Sequence, residues 1–272
     1  MPLTSIPAVP TELRHACLFW LTHADPARKA AGVQMLAQTW AQGTLRLDVT
    51  TILESSAVIP GRPVKPLLVA PLSVPHRSMV SVEGRAVLLH ALAHIEFNAI
   101  NLALDAAWRF PGMPAAYYSE WLQVAAEEAL HFSLLAAHLE TQGFAYGDFP
   151  AHDSLWELAE RTRHDVLARI ALVPRTMEAR GLDASPRMRA KLAQAGDHAA
   201  AAILDRILQD EIGHVAVGNR WYGWLCEQRA LEPMAAYAQL ALQFRAPVLR
   251  GPFNMAARRA AGFTEAELAA LG

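Results

Sequence analysis

The spacing of apolar residues along the chain predicts a nearly all-helical protein. Two short helices are expected at residues 11–23 and 25–42, the second with Asp25 as its N-cap and Pro26 in its first turn. Longer helical patterns occupy residues 81–109 and 115–141. Residues 110–114 between them read Phe-Pro-Gly-Met-Pro, which no helix crosses intact, so the two patterns predict a helical hairpin.

Two further helical patterns complete a predicted four-helix bundle. The third helix starts near Ser154, is disturbed by Pro174 and by residues 181–186, and ends at a turn around Gly196. The fourth runs to about Gln228. Residues 143–153 are enough, at about 3.3 Å per residue, to travel the length of a bundle. We therefore predict that a long crossover joins helices two and three of the bundle.

The remaining segments predict additions at both ends. Five prolines between residues 46 and 76 exclude a long helix there and predict an extended arm. A helix at about 233–244, a loop, and a short last helix with a capping box from Thr264 to Glu267 follow the bundle. The predicted organisation is N-terminal helices and the arm at 1–80, the bundle at 81–229, and a C-terminal helical extension at 230–272.

Composition and charge narrow the range of partners and sites. The formal net charge of -2 gives no electrostatic reason to bind nucleic acid. Two cysteines cannot form a four-cysteine zinc or rubredoxin site. The N-terminal residues lack the pattern of a signal peptide, and no uninterrupted apolar stretch is long enough to span a bilayer. We expect a cytoplasmic protein without a membrane partner.

Two Glu-x-x-His motifs suggest a metal site. Glu128 and His131 lie one turn apart on the second bundle helix, and Glu211 and His214 lie one turn apart on the fourth. In each helix the surrounding residues at helical spacing are apolar, so both motifs are expected to face the core. An ionised glutamate in such a position costs several kcal/mol unless a cation or hydrogen-bond donors compensate it.

The first and third bundle helices supply possible partner glutamates. Glu96 lies 32 residues before Glu128, and the midpoint between them is Gly112 of the predicted turn. Glu178 lies 33 residues before Glu211, and their midpoint also falls beside a predicted turn. In an antiparallel hairpin such pairs meet at the same height, which is how di-metal bundles pair a glutamate with each Glu-x-x-His helix.

The sequence allows two alternatives for the ligand on the third helix, either Glu178 or one of Asp165 and His164. Glu178 is a ligand only if its helix continues past Gly181 and Pro186, with a bulge as one way to do so. If the helix stops at Gly181, Asp165 or His164 would lie at the proper height instead.

Other polar residues have simpler interpretations. Glu12 and His15 form a third Glu-x-x-His match, which we interpret as a solvent-facing pair on the first helix. His90 and His94 are expected to make ordinary hydrogen bonds. Asp210 precedes a candidate ligand and is expected to face a neighbouring helix or solvent, with a role as acceptor for a ligand histidine as the alternative.

Four carboxylates and two neutral histidines would balance the charge of two divalent ions. Oxygen-rich ligation with one imidazole per metal suits two iron ions, with manganese as the alternative. The competing interpretation is a buried polar network that binds no metal.

Several segments resemble known proteins. The order glutamate, Glu-x-x-His, glutamate, Glu-x-x-His resembles the ferritin-like di-iron carboxylate superfamily, which includes ferritins, rubrerythrins and bacterial multicomponent hydroxylases. Residues 94–96, 146–153, 178–183 and 210–214 resemble a bacterial ferritin-like family catalogued as domain of unknown function 455, and this likeness covers nearly the whole chain. Shorter stretches resemble tRNA hydroxylases and demethoxyubiquinone hydroxylases. The resemblance implies a ferritin-like bundle and the ligands Glu96, Glu128, His131, Glu178, Glu211 and His214, but no substrate.

Three functions are compatible with these observations. The first is a di-iron oxidoreductase that uses dioxygen to hydroxylate or oxidise a small or carrier-bound organic substrate, with an external electron donor because no flavin or iron-sulfur motif is present. The second is ferritin- or rubrerythrin-like handling of iron or peroxide. The third is a metal-stabilised interaction module without turnover. A homodimer is compatible with all three.

Overall fold

The computed structural model describes residues 9–73 and 78–271, and the regular structure in these ranges is helical. Two β-bridges occur there, one between Glu12 and Arg46 and one between Leu68 and Ala151, and both are isolated. The prediction of an all-helical protein is therefore confirmed. Residues 1–8 of the predicted N-terminal segment and residues 74–76 of the predicted arm lie outside the described residues.

The helices have well-defined ends. The N-terminal part of the chain contains α1 (Leu13–Leu21), α2 (Pro26–Ala41), a 3₁₀ turn (Pro71–Ser73), α3 (Val82–Arg109) and α4 (Ala115–Thr141). The C-terminal part contains α5 (Ser154–Arg161), α6 (Val166–Leu172), a π-helical turn (Val173–Glu178), α7 (Ala179–Gln194), α8 (His198–Gln228), α9 (Pro233–Gln243), α10 (Met255–Ala260) and α11 (Glu265–Ala269).

Local signals in the sequence account for several of these ends. The Asp25 side chain accepts a hydrogen bond from the backbone of Arg28 and caps α2, as predicted. The predicted capping box of α11 is present between Thr264 and Glu267. Gly112 adopts a positive φ of 79° in the turn between α3 and α4, a conformation that a glycine adopts without strain.

The third bundle helix starts later than predicted. Residues from Ser154 form the separate short helix α5, and the helix that carries Glu178 begins only at Val166. The buried guanidinium of Arg169 explains the break, because its Nη2 donates to the backbone oxygen of Ala159 at 2.6 Å and its Nε to Thr162 Oγ1 at 3.1 Å. Arg169 thus satisfies a carbonyl group at the end of α5 that a continuous helix would have bonded itself.

Past this break, the helix continues through the residues that disturb it. The π-helical turn begins beside Pro174, and α7 then passes Gly181 and Pro186 to reach Gln194. The helix therefore does continue past Gly181 and Pro186, and it contains a bulge of the kind considered above. The loop predicted at residues 250–254 is present, and a short helix that was not predicted, α10, follows it before α11.

The chain divides into two compact units, one of Met1–Pro63 and Ala99–Leu130, the other of Val64–Asn98 and His131–Gly272. In the first, the buried guanidinium of Arg14 donates to the backbone oxygens of Asp48, Thr51 and Trp108, which attaches the arm to α1 and the end of α3. Lys29 is fully buried and donates to Asn101 Oδ1 at 2.5 Å and to the Gly61 oxygen at 3.0 Å.

In the second unit, α8 packs closely against the π-helical turn. A Cβ atom at Gly218 of α8 would lie 3.1 Å from Pro174 Cβ and 3.3 Å from the Arg175 backbone nitrogen. Only a glycine therefore allows this approach without displacement. Asp197 caps the start of α8 and also contacts His138 of α4 at 2.9 Å. Ala179, Leu182, Val215, Phe263 and Leu268 form an apolar cluster that includes the C-terminal helices.

Helix α3 is long and apolar enough to cross a membrane by length and composition. However, 83% of its most apolar window is buried inside the protein, as expected for the core helix of a bundle.

Candidate metal centre

Helices α3, α4 and α8 carry five of the six predicted ligands, and all five are buried. Glu128 and His131 are fully buried on α4, and Glu96 on α3 is 4% exposed. Glu211 and His214 on α8 are 8% and 1% exposed. Both Glu-x-x-His motifs therefore lie on buried helix faces, as the apolar spacing around them predicted.

Four of the six predicted ligands lie together. Glu96, Glu128, His131 and Glu211 each offer a ligand atom, and these atoms all lie within 4.8 Å of one another. The helical spacing in the sequence predicted this convergence. Three carboxylates and one imidazole are a suitable donor set for a hard divalent cation such as iron or manganese.

His131 is held between two carboxylates in the second unit. Its Nε2 lies 3.0 Å from Asp210 Oδ2, and its Nδ1 lies 3.2 Å from Glu96 Oε2. Both contacts are hydrogen bonds only if the imidazole is protonated on both nitrogens. If Asp210 accepts the Nε2 proton of a neutral ring instead, the Nδ1 lone pair faces the carboxylates and is available to a metal ion.

Asp210 therefore has a more specific position than a solvent-facing residue. Arg206, one turn earlier on α8, donates to Asp210 Oδ2 at 2.6 Å. Burial raises the pKa of Asp210, but the hydrogen bonds from His131 and Arg206 outweigh that effect and lower it below its usual value. An ionised Asp210 orients the His131 ring, which corresponds to the alternative role considered for it.

His214 lies beside this group of four. Its Nδ1 is 3.6 Å from Glu211 Oε1, and its ring centroid is 5.8 Å from that of His131. It is not among the four residues whose ligand atoms all lie within 4.8 Å of one another. His214 as a metal ligand therefore stays a prediction.

Glu178 is the last residue of the π-helical turn and is half-buried. It also lies outside the group of four. The alternatives have other roles: Asp165 caps α6 and pairs with Arg229 at 2.9 Å, and His164 is exposed and accepts a hydrogen bond from Arg163. Glu178 therefore stays the predicted third-helix ligand.

The histidines of α3 outside the site make ordinary hydrogen bonds, as predicted. His94 Nδ1 lies 2.8 Å from the Tyr146 hydroxyl, and Asn98 Nδ2 lies 2.9 Å from His94 Nε2. His90 Nε2 accepts a hydrogen bond from the backbone of Gly147. Burial lowers the pKa of His90 to about 4, so this histidine is neutral near pH 7.

The third Glu-x-x-His match has a structural role. Glu12 caps α1 by accepting hydrogen bonds from the backbone nitrogens of Arg14 and His15, and it also accepts one from Asp48. His15 is exposed, so the pair lies at the surface as expected.

A second polar feature, which was not predicted from the sequence, is a cavity of about 230 Å³ that Arg175 and Arg258 line. Arg175 lies on the π-helical turn and Arg258 lies on α10. Helix α10 was not predicted from the sequence. No local pattern connects two arginines so far apart in the chain.

Comparison with known proteins confirms the resemblance to domain of unknown function 455. The model of the family described as "Protein of unknown function (DUF455)" matches residues 22–269. A protein of Haemophilus influenzae described as "Uncharacterized protein" is 54% identical over 213 residues, which cover 76% of this chain and 74% of the relative. No solved structure gives a significant match.

Proposed function

This chain belongs to the family described as "Protein of unknown function (DUF455)", and we propose that it is a non-haem di-iron oxidoreductase of the ferritin-like superfamily. Its substrate would be a small or carrier-bound organic molecule that is hydroxylated or oxidised with dioxygen. An external donor would supply electrons, and the protein would act in the cytoplasm. The single observation that supports this proposal is the buried group of Glu96, Glu128, His131 and Glu211.

The charge of this group favours a bound cation. Three carboxylates within a few ångströms of one another in a protein interior cannot all stay ionised without compensation, because burial and mutual repulsion both oppose it. Protons or metal ions can provide the compensation. His131, placed between Asp210 and Glu96, favours metal ions, because a cation at Nδ1 would replace the proton that the Glu96 contact otherwise requires.

Each residue has a defined role in the proposal. Glu96, Glu128 and His131 would hold one ion, with Asp210 fixing the orientation of the His131 ring. Glu178, Glu211 and His214 would hold a second ion. Iron bound there would supply the electrons that reduce dioxygen. The protein itself would keep bulk water away from the ions, since both motif histidines and Glu128 are at most 1% exposed.

Handling of iron or peroxide without an organic substrate is the main alternative. It predicts the same metal content, but assembly into a large shell for storage, or peroxide consumption without oxidation of an organic molecule. An interaction module predicts metal binding with no consumption of dioxygen. Measurements of metal content, dioxygen uptake and assembly size therefore distinguish the three functions.

The first experiment measures metal in the purified protein by elemental analysis. About two iron or manganese atoms per chain are expected, and Glu128→Gln is expected to lose most of them. Glu127→Gln is the matched control, because Glu127 is only half-buried and its Oε1 accepts a hydrogen bond from Gln123 at 2.8 Å. A wild-type protein that binds no iron or manganese after anaerobic incubation with excess metal would exclude the proposed function.

The second experiment follows dioxygen uptake by the iron-loaded protein with a chemical reductant. Continued uptake that depends on Glu128 supports an oxidoreductase. No uptake by an iron-loaded protein would leave the interaction module as the function.

A further inference from the structure

The cavity lined by Arg175 and Arg258 lies among the C-terminal helices of the second unit and the π-helical turn. Its volume is about 230 Å³. A second cavity of about 570 Å³ adjoins it, and the two share Tyr237, Leu249 and other lining residues. Among the residues that the structure describes, none of the six candidate metal ligands lines either cavity. The two cavities are therefore a separate feature from the metal centre.

Two buried arginines, Arg175 and Arg258, line the first cavity. Arg175 is 6% exposed and Arg258 is 1% exposed, so both guanidinium groups are held in the interior. Glu267 is the one carboxylate among the lining residues given for this cavity, and it pairs with Arg175. Arg258 pairs with Asp183, which lies outside the lining. Each arginine thus has one carboxylate partner, so an anionic ligand would bind to the N–H donors that these pairs do not use.

Arg175 retains donors for such a group. A guanidinium has five N–H donors, and among the described residues Glu267 is the acceptor that binds Arg175. Glu267 Oε2 in turn accepts from the backbone nitrogen and hydroxyl of Thr264 in the capping box of α11. Glu267 therefore stays stabilised when Arg175 also binds a ligand carboxylate.

Aromatic rings fix the two guanidinium groups. The Arg175 guanidinium carbon lies 4.7–5.0 Å from the ring centroids of Tyr222, Tyr237 and Phe263. The Arg258 guanidinium carbon lies 5.3 Å from the same Phe263 ring, so the two guanidinium carbons are at most about 10 Å apart. Stacking of this kind holds charged groups in place before a ligand arrives, which lowers the entropic cost of binding.

The second cavity is suited to the apolar part of a ligand. Apart from Arg245 and the Tyr237 hydroxyl, the side chains that line it are hydrocarbon. It includes Leu242 and Val248, which are 82% and 83% exposed. Large apolar side chains at such exposure indicate a surface that a ligand can cover.

We propose that these adjoining cavities bind an organic carboxylate with an unbranched apolar chain, its carboxylate at Arg175 and Arg258 and its chain along the second cavity. The proposal does not depend on the metal centre.

Octanoate, octan-1-ol and octylammonium test it by isothermal titration calorimetry, because they share a chain and differ in the charge of the head. Octanoate is expected to bind at least tenfold more tightly than octan-1-ol, and octylammonium more weakly than either. Equal affinity for octanoate and octan-1-ol would overturn the proposal.

Two variants locate the site. Arg175→Gln is expected to weaken octanoate binding at least tenfold and to leave octan-1-ol unchanged. Arg259→Gln is its control, since Arg259 follows Arg258 on α10 but is exposed and pairs with Glu265. Octanoate binding that survives Arg175→Gln unchanged would refute the role of this arginine.

A third variant does not disturb any ion pair, and so stays informative if Arg175→Gln fails to fold. Ala238 lines the first cavity on an exposed position of α9, and Ala238→Trp would fill it. Ala235→Trp places the same residue on the exposed surface of α9, at a position absent from the lining. Loss of octanoate binding in Ala238→Trp alone supports the site, and equal binding by the two variants would refute it.

Discussion

Replacing Glu128 by glutamine removes one buried charge and almost no volume, so it tests whether the buried carboxylates need a bound cation. Without metal, Glu128 shares the site with two other glutamates whose ligand atoms lie within 4.8 Å. Two unit charges 4.8 Å apart repel each other by about 3.5 kcal/mol at an effective dielectric constant of 20. Holding a proton on a glutamate of ordinary pKa at pH 7 instead costs about 3.7 kcal/mol. In either case we expect this carboxylate to destabilise the metal-free wild-type protein.

The metal-free Glu128→Gln variant should therefore be more stable than the metal-free wild-type protein, by about 1–3 kcal/mol once relaxation and partial screening are included. With Mn²⁺ at a hundred times its dissociation constant, the wild-type protein should gain about 2.7 kcal/mol, and the variant little. The order of stability should thus reverse on adding metal. Urea unfolding at pH 7 with chelator and with Mn²⁺ measures both differences, and Glu127→Gln should follow the wild-type protein in each condition.

A metal-free Glu128→Gln variant that is less stable than the metal-free wild-type protein would refute this expectation. That result would mean that Glu128 contributes to a satisfied network of hydrogen bonds and not to a site that needs a cation. Equal stabilisation of both proteins by Mn²⁺ would place the bound ion elsewhere.

Three further predictions concern α8 and can be checked in the same unfolding and metal-binding assays. Asp210→Asn should weaken metal affinity roughly 10- to 100-fold by releasing the His131 ring, whereas the exposed Asp205→Asn should not, as equilibrium dialysis would measure. Gly218→Ala should destabilise the protein by about 1–3 kcal/mol because its Cβ would press on the π-helical turn, while Gly223→Ala, with open space around it, should stabilise by about 0.5–1 kcal/mol. Asp197→Ala should cost about 1–2 kcal/mol at neutral pH through loss of the α8 cap. Burial opposes ionisation of Asp197, but its hydrogen bonds lower its pKa below 3.8, so its contribution is present above about pH 4 and should diminish as the pH falls further.

Local signals in the sequence were sufficient to predict the α3–α4 hairpin and the convergence of four candidate ligands. Proline and glycine at 110–114 determine where both helices end, and helical spacing then determines which residues share a height. The break between α5 and α6 was not predictable in this way. It depends on the buried Arg169, whose guanidinium folds back onto Ala159 and Thr162, and the sequence gives no indication that this arginine is buried. The cavity beside Arg175 is equally non-local, because α10 supplies its second arginine.

The π-helical turn contains both a residue that was predicted from the sequence as a ligand and a residue of the cavity that was not predicted. Within its six residues, Arg175 lines the proposed carboxylate site and Glu178 is the predicted ligand of the second metal ion. A π-helical turn is less stable than a regular helix, and such turns are retained mostly where function needs a side chain in a particular place. Gly218 on α8 has no Cβ atom and so leaves room for the turn. The irregular geometry of the turn therefore also depends on a residue of a second helix. A ligand that draws Arg175 toward the cavity would act on the same short segment that orients Glu178. Binding at the two sites should therefore be coupled, and octanoate should change the Mn²⁺ affinity of the wild-type protein more than that of Arg175→Gln.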